Sequence, residues 1–184
     1  TTTAVTLDAR GTGVPLNMRG AEGDVDESFY GNDSPDINYV GGVAIHAGGG
    51  DDYIFSDGQG GAWITPGSGS NTIEAHYDGN NWHQVSYNEA DTYEHGSGTY
   101  NPGSITLTVS DGYVATAVSS NSGVISDNLS GVNAYRLTSG SDVVNHTGDD
   151  RLVVNLGAGD DVVNGSLTGR TQVRYGPDDE YYGA

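Results

Sequence analysis

The sequence predicts an all-β protein, specifically a parallel β-roll or β-solenoid with about 19 residues per turn, in two repeat blocks joined by an irregular β-containing insertion. Glycine-rich turns recur at a fixed step, because Gly50-Asp51-Asp52 lies 19 positions from both Gly31-Asn32-Asp33 and Gly69-Ser70-Asn71. Apolar residues follow the same step, at spacings of 9, 10 and 9 for Ile45, Ile54, Ile64 and Ile73. The 30 glycines and the lack of a 3.6-residue apolar stripe argue against helix. A fixed period in turn chemistry indicates stacked turns.

The first repeat block is predicted over residues 1–75. Residues 1–40 hold weakly patterned strands, separated by Gly-Asp and Asn-Asp turns, at Ala4–Leu7, Val14–Met18, Phe29–Tyr30 and Ile37–Val40. From Gly41 to Glu74 the pattern sharpens. Each half-turn there is a glycine-rich loop of about six residues followed by a strand of about three, which predicts two short parallel sheets.

Residues 76–136 depart from the period and are predicted to form an insertion or spacer. Within them, Ile105–Val109 and Tyr113–Ala117 alternate apolar and polar residues around Asp111-Gly112. That pattern is typical of a hairpin or strand-turn-strand element. The sequence leaves open whether this segment interrupts the repeat or widens it.

The second repeat block is predicted over residues 137–184, so that the whole chain is one elongated domain. Ser141–Asn145 and Asp160–Asn164 lie 19 positions apart, with Gly140 matching Gly159. Gly148-Asp149-Asp150 falls between them, where the opposite edge of the roll is expected.

Composition excludes several classes of partner. The chain of 184 residues has a formal net charge of −19, and its six basic residues are all Arg. Nucleic acid and anionic membranes are therefore poor partners, whereas a cation is a good one. There is no cysteine to form a disulfide, and no apolar run is long enough to span a membrane. The abrupt start suggests a piece of a larger exoprotein.

The repeated turns have the chemistry of a calcium site. Calcium takes six to eight oxygens from carboxylates and backbone carbonyls, and a Gly-x-Asp loop supplies both kinds. Stacked turns lie roughly 4.8 Å apart, which would place Asp33, Asp52 and Asn71 in one row. Two carboxylates at that separation repel by about 3.5 kcal/mol at an effective dielectric of ~20. A divalent cation between them would reverse the sign.

We expect two to four occupied calcium sites, mainly along one edge, because Val43 and Ala62 offer no side-chain oxygen on the other. An isolated Gly-Asp-Asp would more simply be a turn with an Asx cap, but its recurrence in two blocks favours metal. The candidate metal-binding residues are Gly31, Asp33, Gly48, Gly50, Asp52, Gly67, Gly69, Asn71, Gly140, Asp142, Gly148, Asp150, Gly157, Gly159 and Asp161.

Two segments resemble a known repeat. Gly48–Ile54 and Gly157–Val163 are similar to the nonapeptide G-G-x-G-x-D-x-U-x of the repeats-in-toxin (RTX) family, the hemolysin-type calcium-binding repeats. The segment from Val85 to Asp142 resembles the spacers between nonapeptide blocks in large secreted members. The resemblance implies a bacterial exoprotein, exported by a type I system, that binds Ca²⁺ and folds outside the cell or at its surface. Its role would be structural, in secretion or in surface attachment.

Other functions have weaker support in the sequence. Trp82, His83, Tyr87 and Tyr93 cluster in the insertion, where they would form a sugar-binding surface by aromatic stacking or stiffen an irregular loop. The alternative function is therefore a carbohydrate-binding accessory module for polyuronates, as the repeat modules of alginate epimerases suggest by similarity. A polysaccharide-modifying enzyme using Tyr and His as acid and base is a third possibility. No zinc-protease, nucleophile-elbow or phosphate-loop motif is present, so we expect no catalytic activity.

Overall fold

The computed structural model describes residues 5–8, 17–19, 27–30, 43–47, 51–56, 61–77, 79, 81–89, 91, 100–121, 124–165 and 171–175. Every regular element in these ranges is a β-strand, so the prediction of an all-β chain is confirmed. The same ranges contain no helix long and apolar enough to cross a membrane.

The strands are short, mostly of three to six residues. In chain order they are β1 (Val5–Asp8), β2 (Asn17–Arg19), β3 (Glu27–Tyr30), β4 (Val43–His46), β5 (Tyr53–Ser56), β6 (Ala62–Thr65), β7 (Thr72–Ala75), β8 (His83–Ser86), β9 (Ile105–Ser110), β10 (Val114–Ser119), β11 (Ser126–Ser130), β12 (Ala134–Arg136), β13 (Val143–His146), β14 (Val153–Asn155), β15 (Val162–Gly165) and β16 (Gln172–Arg174).

Successive strands alternate between two sheets along most of the chain. The first sheet has the order β1-β3-β5-β7-β11-β10-β9-β13-β15, and the second has the order β16-β14-β12-β8-β6-β4-β2. All neighbours are parallel except at β10, which is antiparallel to both β9 and β11.

The strand register follows the 19-residue step from β4 to β7 and again from β12 to β16. Val43 pairs with Ala62 and Val143 pairs with Val162, each 19 positions on. The same step relates β5 to β7, β12 to β14 and β14 to β16. Turn residues and apolar residues therefore repeat together because they stack directly on one another.

Toward the N-terminus the pairing steps are longer. Val5 pairs with Glu27, 22 positions on, and Ser28 pairs with Tyr53, 25 positions on. The 19-residue spacing between Asp33 and Asp52 in the sequence therefore differs from the spacing of paired residues in β1, β3 and β5. Asp33 and the predicted strand Ile37–Val40 lie outside the described residues.

The middle of the chain adds strands unequally to the two sheets. Strands β11, β10 and β9 stand between β7 and β13 in the first sheet, whereas only β12 stands between β8 and β14 in the second. The predicted hairpin is confirmed, with Thr108 of β9 opposite Thr116 of β10. The described part of residues 76–136, predicted to be an irregular β-containing insertion, thus contains five strands that continue both sheets.

The core changes character along the molecule. In the regular turns Ile54 lies beside Ile73, and both are fully buried. In the widened middle the largest buried side chains are Tyr87 and Tyr135. The Tyr135 hydroxyl donates a hydrogen bond to the carbonyl of Val132 at 3.2 Å. Larger side chains thus accompany the extra strands, since interiors pack without voids.

Candidate functional site

A row of buried Asp and Asn side chains runs along the edge of the first sheet where its strands begin. Asp52 precedes β5, Asn71 precedes β7, and Asp127 lies at the start of β11; all three are at most 2% exposed. The Asp52 N–H donates to Asn71 Oδ1 at 2.9 Å, and the Asn71 N–H donates to Asp127 Oδ1 at 2.9 Å. We call these three residues the Asx ladder. The side chains of Asn71 and Asp127 each accept a backbone hydrogen bond from the adjacent turn.

Asp127 terminates the Asx ladder with a carboxylate that accepts three hydrogen bonds. Besides the backbone bond, Asn71 Nδ2 donates to Oδ1 at 3.0 Å and the Tyr87 hydroxyl donates to Oδ2 at 3.0 Å. Burial raises the pKa of Asp127 to about 7, although the hydrogen bonds from Asn71 and Tyr87 act in the opposite direction. Burial, together with the Asp127 charge, also raises the pKa of Tyr87 well above its usual range.

Asp142 and Asp161 form a second step at the same edge, before β13 and β15. Asp142 Oδ1 accepts from the Ile105 N–H at 2.6 Å, and Oδ2 accepts from the Thr138 N–H at 3.0 Å. The Thr138 hydroxyl lies 2.8 Å from Oδ1. The Asp142 N–H in turn donates to Asp161 Oδ1 at 2.8 Å. Burial raises the pKa of Asp142 to about 6, and the Asp161 charge adds to the rise.

The Gly67–Gly69 turn of the first block and the Gly157–Gly159 turn of the second share one backbone conformation. Gly67 and Gly69 have φ of 81° and 131°, and Gly157 and Gly159 have φ of 76° and 122°. A Cβ on Gly159 would lie 2.3 Å from the carbonyl oxygen of Gly140. Glycine is therefore required there both by backbone conformation and by the close approach of the preceding turn.

The fit of these residues to calcium differs along the edge. The side-chain oxygens of Asn71, Asp127 and Asp142 already accept hydrogen bonds from protein donors, with which a metal at these positions would compete. Asp161 is half-buried and Asp160 is exposed. Among the described residues no donor contacts Asp161 Oδ2 or the Asp160 carboxylate. These two carboxylates, on a glycine turn, fit the oxygen chemistry of calcium.

That turn has too few acidic side chains to hold a metal by side chains alone. No group of three or more His, Cys, Asp or Glu in the described part of the chain is arranged to hold a metal ion. Calcium commonly completes its shell with backbone carbonyls and water, so a site here would depend on the carbonyls of the Gly157–Asp161 turn.

Asp150, a predicted ligand, holds the hairpin turn between β9 and β10. Its Oδ2 accepts from the Gly112 N–H at 2.6 Å and lies 3.4 Å from the Tyr113 nitrogen. Tyr113 has a φ of 56°, which is uncommon for a residue with a side chain. The Gly148-Asp149-Asp150 turn therefore packs against the hairpin, with Gly148 buried against Asp111.

The opposite edge contains an amide that the sequence pattern did not reveal. The position occupied by Val43 and Ala62 continues to His83, and Asn133 Oδ1 accepts from the His83 N–H at 2.9 Å. Asn133 Nδ2 donates to the carbonyl of Asn81 at 3.1 Å. Here too a buried side chain bonds the backbone of the adjacent turn.

The predicted ligand surface requires correction. His83, the first residue of β8, and Tyr87, the residue after that strand, are fully buried, so they do not line an exposed groove. Trp82 is half-buried, and the Arg151 guanidinium lies over its ring, with Cζ 4.3 Å from the ring centroid. Tyr93 lies outside the described residues.

Three other predicted ligands, Gly31, Gly48 and Gly50, also lie outside the described residues. Sequence reasoning missed Asp127, Asn133 and Thr138 as members of the buried polar rows. Asp127 carries no 19-residue signal, because 56 positions separate it from its partner Asn71.

Comparison with family models, with curated proteins and with solved structures finds no match.

Proposed function

We propose that this chain is a β-roll structural module of a secreted bacterial protein, similar to RTX repeats, and that calcium binds its C-terminal turns. The 19-residue strand register in both sheets supports the β-roll. Among the described turns, calcium is best supported at Gly157–Asp161, which stacks on the turn that holds Asp142. The observation that carries the proposal is the open Asp161 Oδ2 beside the exposed Asp160.

Calcium would supply positive charge between carboxylates that otherwise repel each other. Asp160 and Asp161 would hold it, together with carbonyls of the glycine turn. Burial already raises the pKa of Asp142, which shows how poorly this edge accommodates negative charge. A divalent cation beside Asp161 would lower that pKa and favour the ionised, folded edge. The role of the module would be to order the chain outside the cell, in secretion or in surface attachment.

Calorimetric calcium titration of the full chain tests this proposal. We expect saturable binding, and an affinity at least about tenfold lower in Asp161→Asn, which keeps the acceptor for the Asp142 N–H but removes a charge. Asp149→Asn is the matched control, because it removes an exposed carboxylate from the other edge. An absence of binding heat in the unmodified chain would refute calcium binding, and equal affinities in all three proteins would refute the assigned turn.

A polyuronate-binding role is the second candidate, and the Trp82–Arg151 pair supports it. A guanidinium stacked on an indole at 4.3 Å offers both a cation and an aromatic edge to an acidic sugar. Fluorescence titration with a polyuronate should then show binding that Arg151→Gln weakens. Unchanged binding in that variant would remove the pair from consideration. Catalysis is not proposed, because His83 and Tyr87, the acid–base candidates, are buried.

A further inference from the structure

From Asn71 to Asp127 the Asx ladder is hydrogen-bonded without an ion. Both side-chain polar atoms of Asn71 are used, since Oδ1 accepts from the Asp52 N–H and Nδ2 donates to Asp127. Both oxygens of Asp127 are used as well, through Asn71 and the Tyr87 hydroxyl. The amide of Asn71 suits this arrangement, because its oxygen accepts on one side while its nitrogen donates on the other.

We infer that the Asx ladder replaces calcium as the link between turns at this edge, so that the part of the fold around β5, β7 and β11 forms without the metal. The geometry conflicts with the RTX resemblance, which would place calcium between Asp52 and Asn71. A cation there would compete with the Asp52 N–H, which already donates to Asn71 Oδ1, and with the hydrogen bonds that join Asn71 to Asp127. Removing those donors would leave unsatisfied polar groups in the interior, which is costly.

The Asx ladder does not depend on calcium binding at Gly157–Asp161. Hydrogen bonds link the turns of the ladder, whereas the Gly157–Asp161 turn has open carboxylates. Asn71 is the residue that distinguishes a hydrogen-bonded ladder from a calcium site at this edge. Restoring the acidic residue of the calcium repeat by Asn71→Asp should improve a metal site, but it should damage a hydrogen-bonded ladder. In the ladder, the new carboxylate would face Asp127 Oδ1 across the present 3.0 Å contact.

Thermal unfolding of Asn71→Asp, in chelator and in excess calcium, is the decisive experiment. We expect the midpoint to fall by about 6–20 °C in both conditions, because a buried contact between two carboxylates replaces a hydrogen bond. Asn128→Asp is the matched control, since it adds the same charge at an exposed neighbouring position and should shift the midpoint by less than about 2 °C. Calcium that raises the midpoint of Asn71→Asp above that of the unmodified chain would overturn the inference.

A second variant covers the case in which Asn71→Asp does not fold. Asp127→Asn can still accept both Asn71 hydrogen bonds through its oxygen, with its amide directed at the Tyr87 hydroxyl. We expect it to fold in chelator and to bind as much calcium as the unmodified chain. Loss of a bound calcium ion in this variant would identify Asp127 as a ligand and contradict the inference.

Hydrogen exchange separates this inference from the proposed calcium site. The backbone amides of Asp52 and Asn71 should exchange equally slowly in chelator and in calcium. At least tenfold faster exchange of both in chelator would refute the calcium-free ladder, whether or not the C-terminal turn binds calcium. If the unmodified chain shows no calcium binding at all, the proposed function fails while the ladder is unaffected.

Discussion

In the regular turns each sheet gains one strand for every 19 residues. In the middle, the first sheet gains three strands, β9 to β11, whereas the second sheet gains one strand, β12. Among the described strands, two of the first sheet therefore have no counterpart in the second. The regular turns need only aliphatic side chains to fill the interior, as Ile54 and Ile73 do. The middle instead buries Tyr87 and Tyr135, so larger side chains accompany the additional strands.

The two regions also satisfy polar groups differently. In the regular turns, the Asp or Asn before one strand lies beside the Asp or Asn before the neighbouring strand, so the row of side chains can continue. Asp127 instead has Ala117 beside it on β10, so the row ends there. The Tyr87 hydroxyl takes the place of the next member and donates to Asp127 Oδ2. The tyrosine that fills the widened core therefore also completes the ladder that began in the regular turns.

The largest expected effect breaks this link at Tyr87. Tyr87→Ala should lower the free energy of unfolding by about 3–5 kcal/mol, because it leaves a cavity and an unpaired carboxylate oxygen. Tyr87→Phe, which removes only the hydroxyl, should cost about 1–3 kcal/mol. Ile73→Val is the control in the regular region, at about 0.5–1.5 kcal/mol. Chemical denaturation measures all three, and a Tyr87→Ala cost below that of Ile73→Val would contradict the role given to Tyr87.

The pH dependence of stability should come in part from Asp127. Its pKa is about 7 in the folded chain, because of burial, and about 3.9 when unfolded. The folded state thus binds the proton more tightly, so the contribution is complete below about pH 4. It is lost as pH rises through about 7, by at most about 4 kcal/mol. Asp142 acts in the same direction.

Asp127→Asn is the variant that tests this dependence. Denaturation in chelator at about pH 5 and about pH 8 should show a smaller loss of stability in Asp127→Asn than in the unmodified chain. Equal losses in the two proteins would show that the buried carboxylate does not titrate in this range.

The sequence predicted the regular region well because its signal is local. The Ile45 to Ile73 spacing and the Asp111-Gly112 hairpin depend on neighbours or on one fixed step, and the strand register follows both. It could not predict the pairing of Asp127 with Asn71, which depends on how the middle strands return to the sheet. The burial of His83 was also missed, since no alternation marked β8 within a polar and aromatic stretch.

The candidate site was predictable in position but not in detail. The 19-residue step predicted that Asp52 and Asn71 lie in one row, where the structure also places them. Whether a carboxylate at that edge faces a cation or a backbone N–H depends on the donors around it. Thr138 and Tyr87, which supply such donors, are brought there by other turns. No spacing within the repeat encodes them.

The smallest expected effect compares two glycines, one in a repeat turn and one in the hairpin of the middle. Gly159→Ala should cost about 2–3 kcal/mol, because its φ of 122° is unsuited to a side chain and the new Cβ would lie 2.3 Å from the Gly140 carbonyl oxygen. Gly112→Ala should cost only about 1 kcal/mol, since nothing lies within 4 Å of its Cβ position and only the φ of 75° opposes it. Denaturant midpoints measure the difference. Equal costs would mean that the repeat turns can separate to admit a methyl group, and that close stacking is not what fixes glycine at position 159.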